Sequence, residues 1–321
     1  MPNNNSMTDQ FKADVLAGLS ATPKYLSSKY FYDEIGDKLF QRIMAMPEYY
    51  LTDCEMEIFS EQTAGIIDAF GFDIDREFDI IELGAGDGSK TIHLLSYLIN
   101  QGRQFNYLPV DISANALSII ERRLLAELPT LSIDTMQGEY FSVLERRMNT
   151  SNPKVVLFIG SNLGNFEDDQ AHDFIQSIAS HLNPGDKLLL GLDQIKSEDI
   201  VLPAYNDAAG ITKAFNLNLL TRINKELGGN FDIAQFAHQP EYSEVTGYTK
   251  SYLKSLKAQE VQITALNQTF SFDYGEMIHT ETSRKYNDEL LKHIIANTSL
   301  KLSVRFTDRR AYFADYLMIK V

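Results

Sequence analysis

The sequence has little cysteine, no long apolar run and a deficit of positive charge. Its 321 residues include one cysteine, Cys54, so neither a disulfide framework nor a zinc cluster is available within the chain. Asp53 and Glu55 flank that thiol and disfavour its thiolate, which argues for an inert helix cysteine rather than a nucleophile. No stretch reaches the length of an apolar membrane-spanning helix. The first twenty residues lack the apolar segment of a signal peptide, so the expected location is the cytoplasm, with no membrane partner. Lys and Arg number 29 against 44 Asp and Glu, a formal charge of −15. With no local basic patch, such a surface repels phosphate backbones, and nucleic acid is not an expected partner. Hydrophobic residues at 44% and charged residues at 23% suit a soluble globular protein of one large or two modest domains.

What is present is organised around residues 80–91, Ile-Ile-Glu-Leu-Gly-Ala-Gly-Asp-Gly-Ser-Lys-Thr. An apolar β run from Phe78 reaches Glu82, glycines follow at 84, 86 and 88, and a helix is expected from Ser89 to about Asn100. Glycines in a strand-to-helix turn let backbone approach a ligand closely, and the helix start supplies free N–H donors. In an open α/β sheet this is where a nucleotide-like cofactor sits. A dinucleotide fingerprint would place its third glycine at Ser89, whereas here it falls at Gly88. The Glu-x-Gly-x-Gly-x-Gly form resembles motif I of the class I S-adenosylmethionine-dependent methyltransferases. The competing reading is a tight turn with no ligand.

Taken in order, residues 1–6 are polar and expected to fray, and Thr8 is a candidate cap for a helix over 9–19. Helices are expected over 37–46, up to the breaker Pro47, and over 53–70. From Phe78 strands and helices alternate, with strands at 78–83, 105–110, 132–136, 155–159 and 187–190. The intervening helices follow Ser113 and run over 168–182. That rhythm implies a mainly parallel sheet covered on both faces. It breaks after Asp193: a long helix over 205–227 and β runs at 242–252, 260–266 and 269–272 read as an insertion. A helix over 287–295 and strands at 301–306 and 312–320 close the sheet. The expected fold is α/β: a Rossmann-like seven-stranded sheet domain (61–195 plus 286–321) and a smaller α+β domain (7–60 plus 196–285), with the site in the cleft between them.

Several residues suit ligand chemistry. Asp111 ends the second strand, where a carboxylate can accept two hydrogen bonds from vicinal ribose hydroxyls; the alternative is an acid at a helix start. Glu139 and Tyr140 follow the third strand, placing a polar group and a ring where an adenine would lie. Lys90 suits a ligand carboxylate, or is solvated surface. Gly160-Ser161-Asn162-Leu163-Gly164-Asn165 makes a polar rim after the fourth strand, or an ordinary loop. Glu281 and Ser283 share one face of a strand and suit an imidazole, or form a solvated face.

Together the motifs resemble one family, the histidine-specific Nα-methyltransferases of ergothioneine biosynthesis. The resemblance rests on Phe31-Tyr32-Asp33, Pro47-Glu48-Tyr49-Tyr50, Glu82-Leu83-Gly84-x-Gly86, Gly160-Ser161-x-x-Gly164-Asn165, Ala204-Tyr205-x-Asp207-Ala208-Ala209-Gly210-x-Thr212, Phe215-Asn216 and Thr280-Glu281-x-Ser283-x-Lys285, in family order over almost the whole chain. It implies S-adenosylmethionine as cosubstrate, L-histidine as small-molecule substrate and hercynine as product, with no metal. By matched position, Asn165 and Tyr205 hold the histidine carboxylate, Glu281 and Ser283 read the imidazole beside Tyr49, and Gly160 positions the amine. Tyr32, Gly84, Lys90, Asp111, Glu139 and Tyr140 hold the cosubstrate. The chain departs from the family at Glu139-Tyr140 (commonly Asp-Phe), Asn162 (commonly Thr), Ser251 (a pocket methionine) and Phe306 (commonly Trp). The alternatives are a methyltransferase for another amino acid or amine, suggested by Ser251 and Asn162, and a non-catalytic S-adenosylmethionine-binding protein. None of the six histidines sits in a matched motif as a general base, so water is the expected proton acceptor. A monomer is expected.

Overall fold

The structure is a computed structural model that describes residues 4–147 and 152–321. It divides into two compact units, residues 51–195 with 284–321, and residues 1–50 with 196–283.

The first unit is built on a seven-stranded sheet. Its strands are Phe78–Leu83 (β1), Phe105–Asp111 (β2), Met136–Gln137 (β3), Lys154–Phe158 (β4), Lys187–Asp193 (β5), Leu300–Thr307 (β6) and Phe313–Lys320 (β7). Their spatial order is β6-β7-β5-β4-β1-β2-β3. The five strands from β3 to β5 are parallel, with Ile80 level with Tyr107 and Val155, while β7 runs antiparallel to β5 and β6. Every residue of β1 is buried, as a parallel strand covered on both faces must be. One face packs Ile81, Leu108, Val156 and Phe158 against Ile175 and Ile178 of helix Asp168–Ser180 and Leu291 of helix Asp288–Ile294. The chain leaves β1 toward β2 on one side and returns as β4 on the other. The carboxyl ends of β1 and β4 are therefore a topological switch point, where such sheets take ligands.

The second unit is α+β. A four-stranded sheet is ordered Lys24–Tyr25, Met277–Arg284, Tyr248–Ser255, Phe236–Tyr242, and Gln259–Ile263 pairs with Gln268–Phe272. Helix Ile211–Leu227 packs Phe215, Leu219 and Ile223 against Phe11, Phe31, Ile43, Leu253 and Ile278.

Several boundaries differ from the sequence expectation. The first helix is Asn4–Ser20, so Thr8 lies inside it rather than capping it. The second starts at Glu34, because the Asp33 carboxylate accepts the Gly36 amide at 2.7 Å. The helix expected over 53–70 is two, Tyr50–Glu61 and Thr63–Phe70, separated at the non-helical Gln62. The first of these groups with the sheet rather than with the insertion, and its Cys54, Ile58 and Phe59 are buried. The helix expected over 205–227 starts only at Ile211, after left-handed Gly210, and a separate helix that was not expected, Glu198–Tyr205, precedes it. The β run expected over 242–252 is a hairpin turning at left-handed Gly247.

Much of what carried the resemblance proves to be framework. Asp207 accepts the Ile211 and Thr212 amides, both at 2.8 Å, and so caps helix Ile211–Leu227. Asn216 donates to the Thr212 carbonyl and accepts from the Thr280 hydroxyl at 2.8 Å. In the sheet unit, Lys285 and Asp193 form a wholly buried ion pair at 3.0 Å. Burial pushes the Asp207 carboxyl up, but the amide bonds prevail and its pKa is lowered. The stabilisation it gives is thus complete above the usual carboxylate range and lost as pH falls through the lowered value. Asp207→Ala should lower unfolding free energy at neutral pH by about 1–2 kcal/mol, with the difference from the parent shrinking in acid. Urea titrations at two pH values measure both.

Candidate active site

In the sheet unit the glycine turn follows β1. Gly84, Gly86 and Gly88 have φ of 74°, 57° and 70°, conformations that side chains disfavour. A Cβ on Gly84 would stand 2.8 Å from the Tyr140 hydroxyl, while one on Gly86 would meet nothing within 4 Å. The turn thus presents bare backbone, which fits a cosubstrate lying across it. Helix Thr91–Asn100 begins two residues later than expected. Glu82 does not reach the turn surface. Fully buried, it accepts the Thr91 hydroxyl at 2.8 Å and the Tyr107 hydroxyl at 2.6 Å. Its carboxyl is pushed up to about 7, by burial above all, against those hydrogen bonds and Lys90.

Asp111 ends β2 partly exposed and accepts the Ser113 amide at 2.8 Å, so one oxygen does serve the helix start. Burial raises its carboxyl, partly offset by the Ser113 and Ile112 amides. Tyr140 opens helix Tyr140–Arg147, and its phenol is pushed up to about 12 by burial and then by Asp111. Asp111, Tyr140 and Gly84 are thereby brought together, while Glu139 is exposed. These residues fit a ribose-bearing ligand: carboxylate acceptor, aromatic ring and open glycine backbone.

Lys90 is not a solvated lysine. It pairs with the buried Glu55 carboxylate, and its ammonium lies 3.5 Å from where a Gly160 Cβ would be. Burial pulls its pKa down, but Glu55, Asp315 and Glu82 outweigh it and the net shift is upward. An ammonium has three donors, so the pairing leaves capacity for a ligand carboxylate. Glu55 also accepts the Gly160 amide at 2.8 Å, and the Asn162 side chain donates to the Ile159 carbonyl at 2.9 Å. The loop after β4 is held further by Ser161, whose Oγ accepts the Asp193 amide at 3.0 Å. Gly164 is required by packing, since a Cβ there would stand 2.7 Å from the Arg284 carbonyl. Asn165, at the end of this loop, is exposed. Asn162 thus has a structural bond of its own.

In the α+β unit Tyr205 is buried and donates its hydroxyl to Ser283 Oγ at 2.8 Å. Two of the expected substrate groups therefore meet, and Glu281 lies two residues before Ser283 on strand Met277–Arg284. Tyr32 packs edge-on against Phe40 and Phe215, and Tyr49 edge-on against Phe40. Although 49% of Tyr32 is exposed, its phenol is raised by burial around the hydroxyl and then by Glu281, Asp37 and Tyr205, which places it among the substrate candidates. Ser251 is buried, and its hydroxyl has no hydrogen-bond partner among the described residues.

Sequence reasoning missed Glu55 and Asp315. Glu55 entered only as a neighbour of Cys54. Asp315 had a visible signal: it is the one charged residue in the run Phe313 to Met318 of a buried strand, where an ionised group is costly. Cys54 is free and buried, its thiol pushed up to about 12 by burial and then Asp308, not by its sequence neighbours.

Comparison with known proteins decides the family. The family described as "Histidine-specific methyltransferase, SAM-dependent" matches residues 11–320. The chain belongs to that family. It is 34% identical to a histidine N-alpha-methyltransferase of Mycolicibacterium smegmatis over 98% of this chain and 97% of that one. The corresponding protein of Mycobacterium tuberculosis is 32% identical, over 96% of this chain and 94% of its own. Ergothioneine biosynthesis protein 1 of Schizosaccharomyces pombe is 28% identical over 92% of this chain and 39% of its own length. Membership makes S-adenosylmethionine the cosubstrate and the protein a methyltransferase.

Glu82 gives a pH test. A carboxyl raised by folding binds more proton in the folded state, so stability falls as pH rises from its ordinary value near 4.5 toward about 7. Glu82→Gln should remove about one proton from that dependence, a slope of about 1.4 kcal/mol per pH unit at most. Stability measured from pH 4.5 to 8 in both proteins checks it; parallel curves would contradict it.

Proposed function

We propose that the protein transfers methyl groups from S-adenosylmethionine to the α-amine of L-histidine and ends at the trimethylated product, hercynine, within ergothioneine biosynthesis. The observation that carries this reading is the family match along residues 11–320. The bound sulfonium supplies an electrophilic methyl group. On the sheet unit, Gly84, Asp111, Glu139 and Tyr140 hold the adenosine part and Lys90 the carboxylate, and Tyr32 is assigned to the same ligand. Glu281 and Ser283 read the imidazole with Tyr49, Tyr205 and Asn165 take the histidine carboxylate, and Gly160 positions the amine.

This chain's contribution to rate is orientation and exclusion of water. The attacking amine must be neutral, and its proton passes to water. Anchors on the carboxylate and the imidazole hold the substrate through successive rounds, while the amine loses its own donors one by one. The Tyr205–Ser283 bond supports the assignment, because it fixes a hydroxyl pair beside Glu281 before substrate arrives. We further assign the protein to the cytoplasm as a monomer. No helix among the described residues is long and apolar enough to cross a membrane.

The second reading, a methyltransferase for another amino acid or amine, rests on Ser251 and Asn162, where the chain departs from the family pattern.

Mass spectrometry of purified protein incubated with S-adenosylmethionine and the twenty amino acids separates the readings. Histidine alone should gain methyl groups, accumulating as the trimethyl form. Modification of a different amino acid would overturn the substrate while leaving the methyltransferase reading intact.

A further inference from the structure

Behind the glycine turn the sheet unit carries two buried carboxyl groups that the ligand assignments do not use. Glu55 is 1% exposed and Asp315 fully buried. Both converge on Gly191 of β5: a Cβ there would collide with Glu55 Oε1 and stand 2.9 Å from Asp315 Oδ1. Any side chain at 191 would push the two carboxyl groups apart. Glu55 receives the Lys90 ammonium on Oε2 and the Gly160 amide on both oxygens, at 2.8 and 3.1 Å. Asp315 receives nothing. Neither of its oxygens has a hydrogen-bond donor among the described residues.

A buried carboxylate with no donor and a second carboxylate beside it does not stay ionised. Two acids and one lysine balance in charge only if the acids hold one proton, and Glu55 is already committed to Lys90. We propose that Glu55 and Asp315 share one proton, Asp315 donating it to Glu55, and that the pair is a positioning device for the Gly160 peptide and the Lys90 ammonium. Burial, followed by the neighbouring Glu55, raises the Asp315 carboxyl well above its usual value, in agreement with this arrangement.

The geometry gives the device its effect. The Ile159–Gly160 peptide plane is tied at both ends, its N–H to Glu55 and its carbonyl to the Asn162 side chain. Gly160 sits at a φ of 78°, which glycine adopts freely, and the following Ser161 at 57°, a conformation that a residue with a side chain seldom adopts. Glu82 also faces the cluster and adds to the field that raises Lys90, but its own two oxygens are taken by Thr91 and Tyr107, so it does not join the shared-proton pair. Glu55 and Asp315 thus act through Gly160 and Lys90 rather than on substrate. This rests on the reading above that Gly160 positions the methylated amine.

Two measurements test it. In Glu55→Gln the carboxamide keeps an acceptor for Gly160 but loses the charge opposite Lys90. Its kcat should fall about 10- to 100-fold, with KM for histidine changed by about threefold or less, as expected when a reacting geometry is displaced slightly. Asp315→Asn, which can donate to Glu55, should retain at least about tenfold more kcat than Asp315→Leu, which cannot. An unchanged kcat in Glu55→Gln, or equal activity in the two Asp315 variants, would overturn the positioning role. Infrared difference spectra of wild type against Asp315→Asn read the shared proton without any turnover. A protonated-carboxyl carbonyl band present only in wild type supports the pair, and its absence overturns it. Wild-type protein that methylates no histidine yet shows the band would fail the proposed function and leave the proton-sharing pair standing.

Discussion

The buried Glu55 carboxylate is the interaction on which the ligand-facing surface of the sheet unit depends. It reaches from helix Tyr50–Glu61 to the Gly160 amide after β4 and to Lys90 after β1, so one side chain ties together the two loops that flank the switch point. Removing one partner from such a buried charge pair is far more damaging than its net contribution suggests, because the other charge is left uncompensated. Gly191 and the protonated partner at Asp315 are what allow an acid to occupy that place.

Around this centre the chain separates framework from ligand chemistry. Asp33, Asp207, Asn216 and Thr280 belong to motifs that mark the family, yet each spends its polar atoms on helix caps or on one another. Gly164 and the Lys285–Asp193 pair similarly fix where the loop after β4 and the returning chain can lie. Tyr32 and Asn165 are exposed and Asp111 and Tyr140 partly so, and framework demands on these four are lighter.

The alternating strands and helices of the sheet were legible because each apolar run is short, bounded by turn residues and followed by an amphipathic helix. The insertion was legible less well. A capping Asp207 and left-handed Gly210 delayed the start of one expected helix to Ile211, and Gly247 turned one expected strand into a hairpin; both signals stood in the sequence but competed with continuous apolar spacing. The family was readable from the order and spacing of its motifs, and the family match runs over residues 11–320. Glu55 was not, because its role exists only through contact with Gly160, far along the chain, and nothing local distinguishes it from a surface acid on a helix. Lys90 was read as a ligand-facing charge or as solvated surface for the same reason.

Binding is divided, in the function we propose, between two carboxylates: Asp111 ending β2 serves the cosubstrate, and Glu281 of strand Met277–Arg284 serves the amino acid. Calorimetric titration of histidine and of S-adenosylmethionine, separately, into Asp111→Ala and Glu281→Ala tests this most directly. A crossed pattern is expected: Glu281→Ala weakens histidine by about 10- to 100-fold and leaves S-adenosylmethionine unchanged, and Asp111→Ala does the reverse. Equal losses of both ligands in either variant, or undiminished affinities in both, would contradict it.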